Sequence, residues 1–504
     1  MAKKNKKNTG EIITRAPVVA IMGHIDHGKS TLLDYIRKEN TVDKEAGGIT
    51  QHVSSYEAEY NGKKITFIDT PGHEAFAAAR SRGANIADIA ILVVAADDGV
   101  SEQTLGALKF IKESKIPFIV AINKIDLPNA DIQGTKNSLI ENEVYLEGMG
   151  GDISYVEISA KNGTNIDELL ETLLLTAEVA DLRANLSRPA TGFILESKVD
   201  SKKGNSATLI LKDGKIVRGQ VVVSGNSYSP VRIMENFLGE KIDEALASMP
   251  VNIVGFDSFP LAGDSFLTFN NKKEALKYIE ELQKLEDSEE KKFSKSKSKN
   301  NNKHVFPLVI KADVVGSVDA IRHQISKIEN ERSVFKILLS ETGKISENDI
   351  KILSGFEDKG TIIGFNVGID RNTEQLAKNN KMELKTFNII YDLTDYLEKR
   401  LNDLTPKEKF EEVSGEAKIL KVFSWGNKGG VIGGEVLAGK ISKNDKIKIM
   451  RRGEYIGEAN IKELQSGKQA VEEIQEGNQF GVEIFSKYEI VRGDTLQAIT
   501  IVEK

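Results

Sequence analysis

Short runs of wholly apolar positions alternate with stretches of helical spacing through the first third of the chain. Val18-Val19-Ala20-Ile21-Met22 is one such run, and Thr31-Leu32-Leu33-Asp34-Tyr35-Ile36 behind it carries helical spacing. Residues 65–68, 89–95, 118–122 and 155–158 repeat the apolar pattern. Runs that are apolar on both faces suit parallel strands covered by helices on each side. The stretch 17–180 is therefore predicted to be an open α/β domain, with its polar loops at the strand C-termini, where such sheets bind ligands.

The texture changes after Arg188-Pro189. Residues 191–196, 207–211, 220–223 and 229–234 read as short strands between turn residues, with a hairpin signal at Asp213-Gly214. This predicts a small β-barrel over 189–270. A helix over 272–285 follows, with Ala275, Leu276, Ile279, Leu282 and Leu285 on one face. The charged stretch 286–303, interleaved with Ser and Asn, reads as a flexible spacer, so 271–304 is a helix plus linker. Alternation returns over 305–388: strands at 306–310 and 361–365, and a helix opened by Gly316-Ser317 with Val318, Ile321, Ile325 and Ile328 apolar. A connecting helix is predicted over 389–404 and a second β-barrel over 412–504. The two barrels echo each other: Gly214-Lys215-Ile216 resembles Gly439-Lys440-Ile441, and Gly263-Asp264-Ser265 resembles Gly493-Asp494-Thr495. The fold class expected is α/β and β multidomain.

A chain of 504 residues is too long for one core. It has no cysteine, which removes disulfides and thiolate chemistry and fits a reducing cytoplasm. No apolar run approaches a membrane span. Residues 1–16 read as a basic disordered tail, in which Lys3, Lys4, Lys6 and Lys7 serve solubility in preference to RNA contact. With a net charge of −6, an RNA partner has to be met by local basic patches.

The chemistry concentrates on the loops of the first domain. Gly23-His24-Ile25-Asp26-His27-Gly28-Lys29-Ser30, ahead of Thr31, fills the pattern of a phosphate-cradling P-loop between a strand and a helix. The glycines let backbone N–H groups close on phosphates, Lys29 reaches the β- and γ-phosphates, and Ser30 ligates Mg²⁺. Asp69-Thr70-Pro71-Gly72 follows the 65–68 strand: Asp69 supports Mg²⁺ through water and the Gly72 N–H meets the γ-phosphate. His73 comes next, and its place beside that phosphate favours a catalytic role over surface decoration. Asn123-Lys124-Ile125-Asp126 closes another strand; the Asp126 carboxylate accepts from the N1–H and exocyclic amine of guanine, which adenine does not offer. Ser159-Ala160-Lys161 completes a base pocket. Gly47-Gly48-Ile49-Thr50 reads as a loop whose Thr50 hydroxyl adds to Mg²⁺. His24 and His27 invite a zinc reading, but no carboxylate or cysteine stands at a suitable spacing, so it is set aside. The expected cofactors are GTP/GDP and Mg²⁺.

The last barrel is rich in cations. Lys418, Lys421, Lys428, Lys440, Lys443, Lys446, Lys448, Arg451 and Arg452 face only Glu416, Glu435 and Asp445 in that window, with Phe423 and Trp425 among them. Cations with aromatics suit a single-stranded RNA end, and a solvated lysine-rich surface accounts for the pattern equally well.

These motifs together resemble the bacterial translation initiation factor two family of translational GTPases. The distinctive stretches are the P-loop itself, Gly47 to Val53, Asp69-Thr70-Pro71-Gly72-His73-Glu74-Ala75-Phe76, Ser248-Met249-Pro250-Val251, Leu308 to Asp313 with Gly316-Ser317-Val318, Ile362 to Val367, and Ile389-Ile390-Tyr391-Asp392. The resemblance implies a cytoplasmic, monomeric GTPase that works with both ribosomal subunits, formylmethionyl initiator tRNA and other initiation factors, away from membranes, and promotes subunit joining. It implies that His73 orients the attacking water, flanked by the apolar pair Ile25 and Ile49. It also implies a tRNA-end pocket in the last barrel, where Gly434 and Phe480 stand in place of the two cysteines common in the family. The family's long N-terminal region is nearly absent here, which bears on small-subunit affinity. The alternatives are an elongation-type translational GTPase and a ribosome-assembly RNA-binding protein with a residual GTPase site.

Overall fold

The structure is a computed structural model that describes residues 12–38, 50–200, 203–293, 303–330, 332–356, 360–380, 382–405, 409–426, 428–467 and 469–503. The basic tail 1–11, Gly47 to Ile49, and 294–302 of the expected spacer lie outside the described residues. The chain divides into two compact units, Met1–Asn402 and Asp403–Lys504.

The first unit opens with β1 (Ile12–Thr14), β2 (Val18–Gly23), α1 (Lys29–Arg37), β3 (Ser54–Tyr60), β4 (Lys63–Asp69), α2 (Ala77–Ile86), β5 (Ile89–Ala95), α3 (Glu102–Ser114), β6 (Phe118–Asn123), α4 (Ile132–Glu141), β7 (Tyr155–Glu157), α5 (Ile166–Val179) and β8 (Arg183–Asn185). Strand order in the main sheet is β3-β4-β2-β5-β6-β7. β4, β2, β5, β6 and β7 run parallel, and β3 is an antiparallel edge. Every residue of β2 and β5 is buried, as the unbroken apolar runs require. Separate clusters, one around Ile21 and Leu169 and one around Leu92 and Leu139, fill the two faces. Helix starts follow their capping residues: Ser101 accepts from the Thr104 N–H ahead of α3, and Asp131 from the Gly134 N–H ahead of α4.

The tail prediction fails over 12–16. β1 pairs antiparallel with β8, and Arg15 forms a two-pronged ion pair with Asp88, at 2.5 and 2.7 Å. Lys212 reaches the same carboxylate, which also accepts from the Val18 N–H at 2.9 Å. Burial pushes the Asp88 carboxyl up, and Arg15 and Lys212 outweigh it to hold it below the usual range. The reason is tertiary: a basic residue in a polar segment gained a buried acidic partner far along the chain.

Next come β9 (Thr191–Asp200), β10 (Gly204–Asp213), β11 (Lys215–Val217), β12 (Val221–Ser224), β13 (Ser227–Pro230), β14 (Ile233–Glu235), β15 (Glu244–Leu246), β16 (Pro250–Val254) and β17 (Ser265–Phe269). Seven of them form one antiparallel sheet, β13-β12-β17-β9-β10-β16-β14, curled around Leu209, Val222, Ile253 and Phe266. The single strand expected over 229–234 is split between β13 and β14, which hydrogen-bond to opposite ends of that sheet. α6 (Lys272–Phe293) runs past Leu285 into the charged stretch read as spacer. Its Ala275 and Ile279 pack on Val221 and Val223.

The second α/β region holds β18 (His304–Ala312), α7 (Val315–Lys327), β19 (Ser333–Thr342), α8 (Glu347–Ser354), β20 (Thr361–Phe365), α9 (Arg371–Asn379) and β21 (Glu383–Phe387). Its four strands are all parallel, in the order β19-β18-β20-β21. α10 (Ile390–Leu404) follows and buries Ile390, Leu393, Leu397 and Leu401, an i, i+3, i+4 stripe.

The second unit carries β22 (Lys409–Gly426), β23 (Gly429–Ser442), β24 (Lys446–Arg451), β25 (Glu454–Ser466), β26 (Gln469–Ala470), β27 (Glu473–Gln475), β28 (Gln479–Ser486) and β29 (Thr495–Glu503). The path β22-β29-β24-β25-β28-β23 returns to β22 through a β22–β23 pairing, so the sheet closes into a barrel. The sequence echo is a backbone echo. Ile194 exchanges hydrogen bonds with Gly263 and Asp264, at 2.7 and 2.8 Å, and Ile419 does the same with Gly493 and Asp494, at 2.9 Å each. Both glycines take positive φ, 96° and 93°.

Phe480 is buried in the barrel core and is paired in register with Gly434. A Cβ on Gly434 would stand 2.8 Å from the Phe480 Cζ and 2.5 Å from the Lys418 carbonyl. The glycine thus makes room for the ring, and the ring occupies the space next to it. Phe480→Ala should cost about 3–5 kcal/mol of the barrel's stability, read as a lower denaturation midpoint at unchanged slope.

Candidate functional site

The four loops singled out in the sequence leave the C-terminal ends of β2, β4, β6 and β7, and converge on one cavity of about 390 Å³. Ile25, Asp26, Gly28, Lys29, Ser30 and Thr31 line one end, Thr50, Gly72 and His73 the flank, and Asn123, Lys124, Asp126, Ala160 and Lys161 the other end. Gly23, His24, His27, Asp69 and Ser159 are not among its lining residues.

Two glycines of the phosphate loop are fixed by close approach. A Cβ on Gly23 would lie 2.3 Å from the Val93 carbonyl oxygen, and one on Gly28 would lie 2.3 Å from Asn123 Nδ2. Both have positive φ, and Gly28 is the N-cap of α1. The approach at Gly28 exists because Asn123 is a strap. Its Nδ2 donates to the His27 carbonyl at 2.8 Å, and its Oδ1 accepts from the Ala160 N–H at 2.9 Å. Asn123 thereby joins the phosphate loop to the 159–161 loop and is itself buried. Ser159 acts from behind: its hydroxyl donates to Asp126 Oδ1 at 2.6 Å and accepts from the Asn162 N–H at 3.2 Å, which aims the carboxylate. Lys124 pairs with Asp97 at 3.4 Å.

Lys29 is buried, and its Nζ donates to the His24 carbonyl. Burial pulls its pKa down to about 8, helped by Arg80 and opposed by Asp69 and Asp26. The hydroxyls of Ser30 and Thr50 lie 2.9 Å apart, and Thr50 donates to Asp69 Oδ2 at 3.4 Å. Two hydroxyls beside a carboxylate form a hard, all-oxygen donor set of the kind Mg²⁺ takes.

His73 caps the short 3₁₀ turn Glu74–Phe76, its Nδ1 accepting from the Ala75 N–H at 2.8 Å. That bond places the ring proton on Nε2. Burial lowers the His73 pKa to about 4, with Arg80 and Lys327 adding to the effect and Glu74 opposing it. His73 is therefore a neutral donor at physiological pH. The loop backbone is gathered by Arg80, whose Nη1 donates to the carbonyls of Pro71 at 3.1 Å, Gly72 at 3.0 Å, and His73. Burial lowers even this guanidinium to about 10. Arg80 carries no sequence signal: it sits on α2, and its acceptors are backbone atoms.

The expectation that His24 and His27 have no partner carboxylate does not hold. A partner carboxylate does exist, supplied from a distant loop: His27 Nε2 meets Asp98 Oδ2 at 2.9 Å, and one ligand atom from each of His24, His27 and Asp98 lies within 4.8 Å of the others. The observed contact is a His27–Asp98 ion-pair geometry beneath the phosphate loop. Ile49 lies outside the described residues, so the Ile25–Ile49 pair is not described.

In the closed barrel, three cations of the basic window are neutralised by carboxylates from outside it: Lys440 by Glu473, Lys448 by Glu411, and Arg451 by Asp494. Lys421 stands 5.3 Å over the ring of Phe423, and Lys462 stands 5.6 Å over that of Phe485. Both rings are exposed.

Residues 14–178 match the family model for the elongation factor Tu GTP binding domain, 189–269 that for elongation factor G domain 2, and 280–398 that for translation-initiation factor 2. The chain is 42% identical over 499 residues to the translation initiation factor IF-2 of Bartonella bacilliformis, covering 97% of this chain and 58% of that protein. It is 41% identical to the same-named protein of Carboxydothermus hydrogenoformans, with 97% and 60% coverage. It thus spans about six-tenths of the length of these relatives. Among solved structures, GDP-bound aIF5B from Aeropyrum pernix aligns over 96% of this chain and 92% of that one, with 26% identity and a TM-score of 0.47. No helix among the described residues is long and apolar enough to cross a membrane.

With a folded-state pKa near 4, against about 6.5 unfolded, His73 lets the unfolded chain bind the extra proton in between, so its contribution to stability is lost as pH falls through that window. An NMR titration of the His73 ring should have its midpoint near 4; a midpoint near 6.5 would contradict the burial argument.

Proposed function

We infer that this chain, a relative of the translation initiation factor IF-2 family over 97% of its length, is a GTP-hydrolysing initiation factor. The observation that carries the reading is the convergence of the phosphate loop, the Asp69–His73 loop, Asn123–Asp126 and Ser159–Lys161 on one cavity. Asp126, aimed by Ser159, is the group that selects guanine. The backbone N–H groups from Asp26 to Ser30, the start of α1 and Lys29 take the phosphates. Ser30 and Thr50 hold Mg²⁺ with Asp69 behind them, and the ion neutralises phosphate charge when bound.

The reaction is attack of water on the γ-phosphate, giving GDP and inorganic phosphate. His73, with its proton on Nε2, orients that water by donation and takes no proton from it. Catalysis here is positioning and electrostatics with no covalent intermediate. In this reading the ribosome is the partner that repositions the His73 loop and stimulates hydrolysis. The factor binds formylmethionyl initiator tRNA on the small subunit, acts there with other initiation factors, promotes joining of the large subunit, and works as a cytoplasmic monomer. The exposed Phe423 and Phe485 with Lys421 support an RNA-end surface on the closed barrel, where Lys462 is paired with Glu483 at 2.6 Å. The Phe480 ring beside Gly434 gives that barrel an apolar wall in place of thiols.

Lys29→Ala should weaken GTP binding roughly 30- to 1,000-fold, because a buried charge partner of the phosphates is lost; tight binding retained would overturn the phosphate-loop assignment. His73→Ala should leave GTP affinity near normal and lower ribosome-stimulated hydrolysis by roughly 10²–10³-fold, the worth of one preorganised donor. The 504-residue chain should bind formylmethionyl initiator tRNA more tightly than the unformylated form across a salt series. Binding that ignores the amino acid and falls steeply with salt would leave phosphate contacts alone and remove tRNA selection from the barrel.

A further inference from the structure

The His73 ring is held from outside its own loop. Its partner is Tyr391, one residue into α10, with ring centroids 4.3 Å apart and planes at 67°, an edge-on contact. Phe76 stands further off, at 6.3 Å. Tyr391 is also close enough to Asp26 of the phosphate loop to feel its charge. It is 45% exposed, so it is not a core residue whose place is explained by packing alone.

Tyr391 is held from outside the His73 loop, because the start of α10 is anchored on Gln51. The buried Gln51 amide brackets it: Nε2 donates to the Asn388 carbonyl at 2.9 Å, and Oε1 accepts from the Ile390 N–H at 3.2 Å. Ile390 and Leu393 are buried beneath. The loop that carries His73 is set close against the phosphate site. A Cβ on Gly72 would stand 2.6 Å from Lys29 Nζ and 3.1 Å from the Ile25 nitrogen. A phosphate taken up between Lys29 and the Gly72 N–H would press on this loop, while Tyr391, at the start of α10, is tied separately through Gln51, next to Thr50.

We propose that Tyr391 is a latch on His73: its ring fixes the imidazole in its resting orientation at the flank of the cavity, and hydrolysis speeds up when that contact breaks. Tyr391 is a positioning residue, since it touches His73 and not the reacting atoms. The proposal rests on the reading of His73 as the water-orienting group. Only the ring edge is needed, so Phe should serve at this position and Ala or Leu should not.

The test is single-turnover GTP hydrolysis by the full chain without ribosomes. Tyr391→Ala should raise the rate roughly threefold to tenfold, the worth of one aromatic pair, at unchanged GTP affinity. Tyr391→Phe should match the parent protein, and the double variant Tyr391→Ala, His73→Ala should fall back to the rate of His73→Ala alone. The His73 ring proton resonances should move in Tyr391→Ala and Tyr391→Leu as the ring current is lost, and stay in Tyr391→Phe. A rate in Tyr391→Ala that is unchanged or lower, or a gain that persists without His73, overturns the latch. If His73→Ala instead leaves ribosome-stimulated hydrolysis intact, the reading of His73 itself has failed.

Discussion

One buried side-chain amide holds the cavity in shape. Asn123 spends its donor on the His27 carbonyl and its acceptor on the Ala160 N–H, so the phosphate loop and the base loop are set at a fixed separation. Gly28 follows from this, because no side chain fits between its Cα and the amide. Ser159, on the loop that Asn123 holds, then aims Asp126. An amide with both ends paired in a dry site rigidifies what it joins. With one partner removed, the other is left buried and unsatisfied, at a cost of about 1–3 kcal/mol. The parallel sheet supplies the platform: the loops leave the C-terminal ends of neighbouring strands, of which β2, β4 and β6 are fully or largely buried, and strand spacing fixes loop spacing.

The flank of the cavity is governed differently. Arg80 gathers three successive carbonyls of the 71–73 loop, while Gln51, Glu74 and Arg82 reach across to the second α/β region and α10. Glu74 pairs with Lys327, Arg82 with Asp319 at 3.0 Å, and His52 with Asp313 at 3.2 Å. The loops next to the phosphate end are thus supported by residues hundreds of positions away. The base end is rigid within its own sheet, and the phosphate flank takes its position from a neighbouring body.

That difference explains what the sequence makes legible. The apolar runs of 18–22 and 89–95 could only be central parallel strands, and the phosphate loop carries its chemistry and its strand–helix context in consecutive residues. The barrel echo was readable because Gly263-Asp264 and Gly493-Asp494 close the same local hydrogen-bonded turn. Arg80, the Asp98 beside His27, and the role of Tyr391 were not readable, because each is defined by a partner far off in sequence or by backbone atoms. Arg15 misled for the same reason, looking like part of a basic tail until Asp88 was seen to receive it. The basic window of the last barrel was overcounted, since Glu411, Glu473 and Asp494 lie outside it and neutralise three of its charges. Helix α6 runs past its apolar stripe as far as Phe293.

The account stands on the cavity being a guanine nucleotide site built by the Asn123 strap and the Ser159–Asp126 pair. The most direct measurement is equilibrium binding of fluorescent GDP and GTP to the full chain in Mg²⁺, with unlabelled ATP and GTP as competitors. Binding should be saturable and one-to-one, displaced by GTP and displaced roughly a hundredfold less well by ATP, since adenine offers the Asp126 carboxylate no N1–H and exocyclic amine pair and one good bidentate pair is worth about 1–3 kcal/mol. Equal displacement by ATP, or no saturable binding, would contradict it.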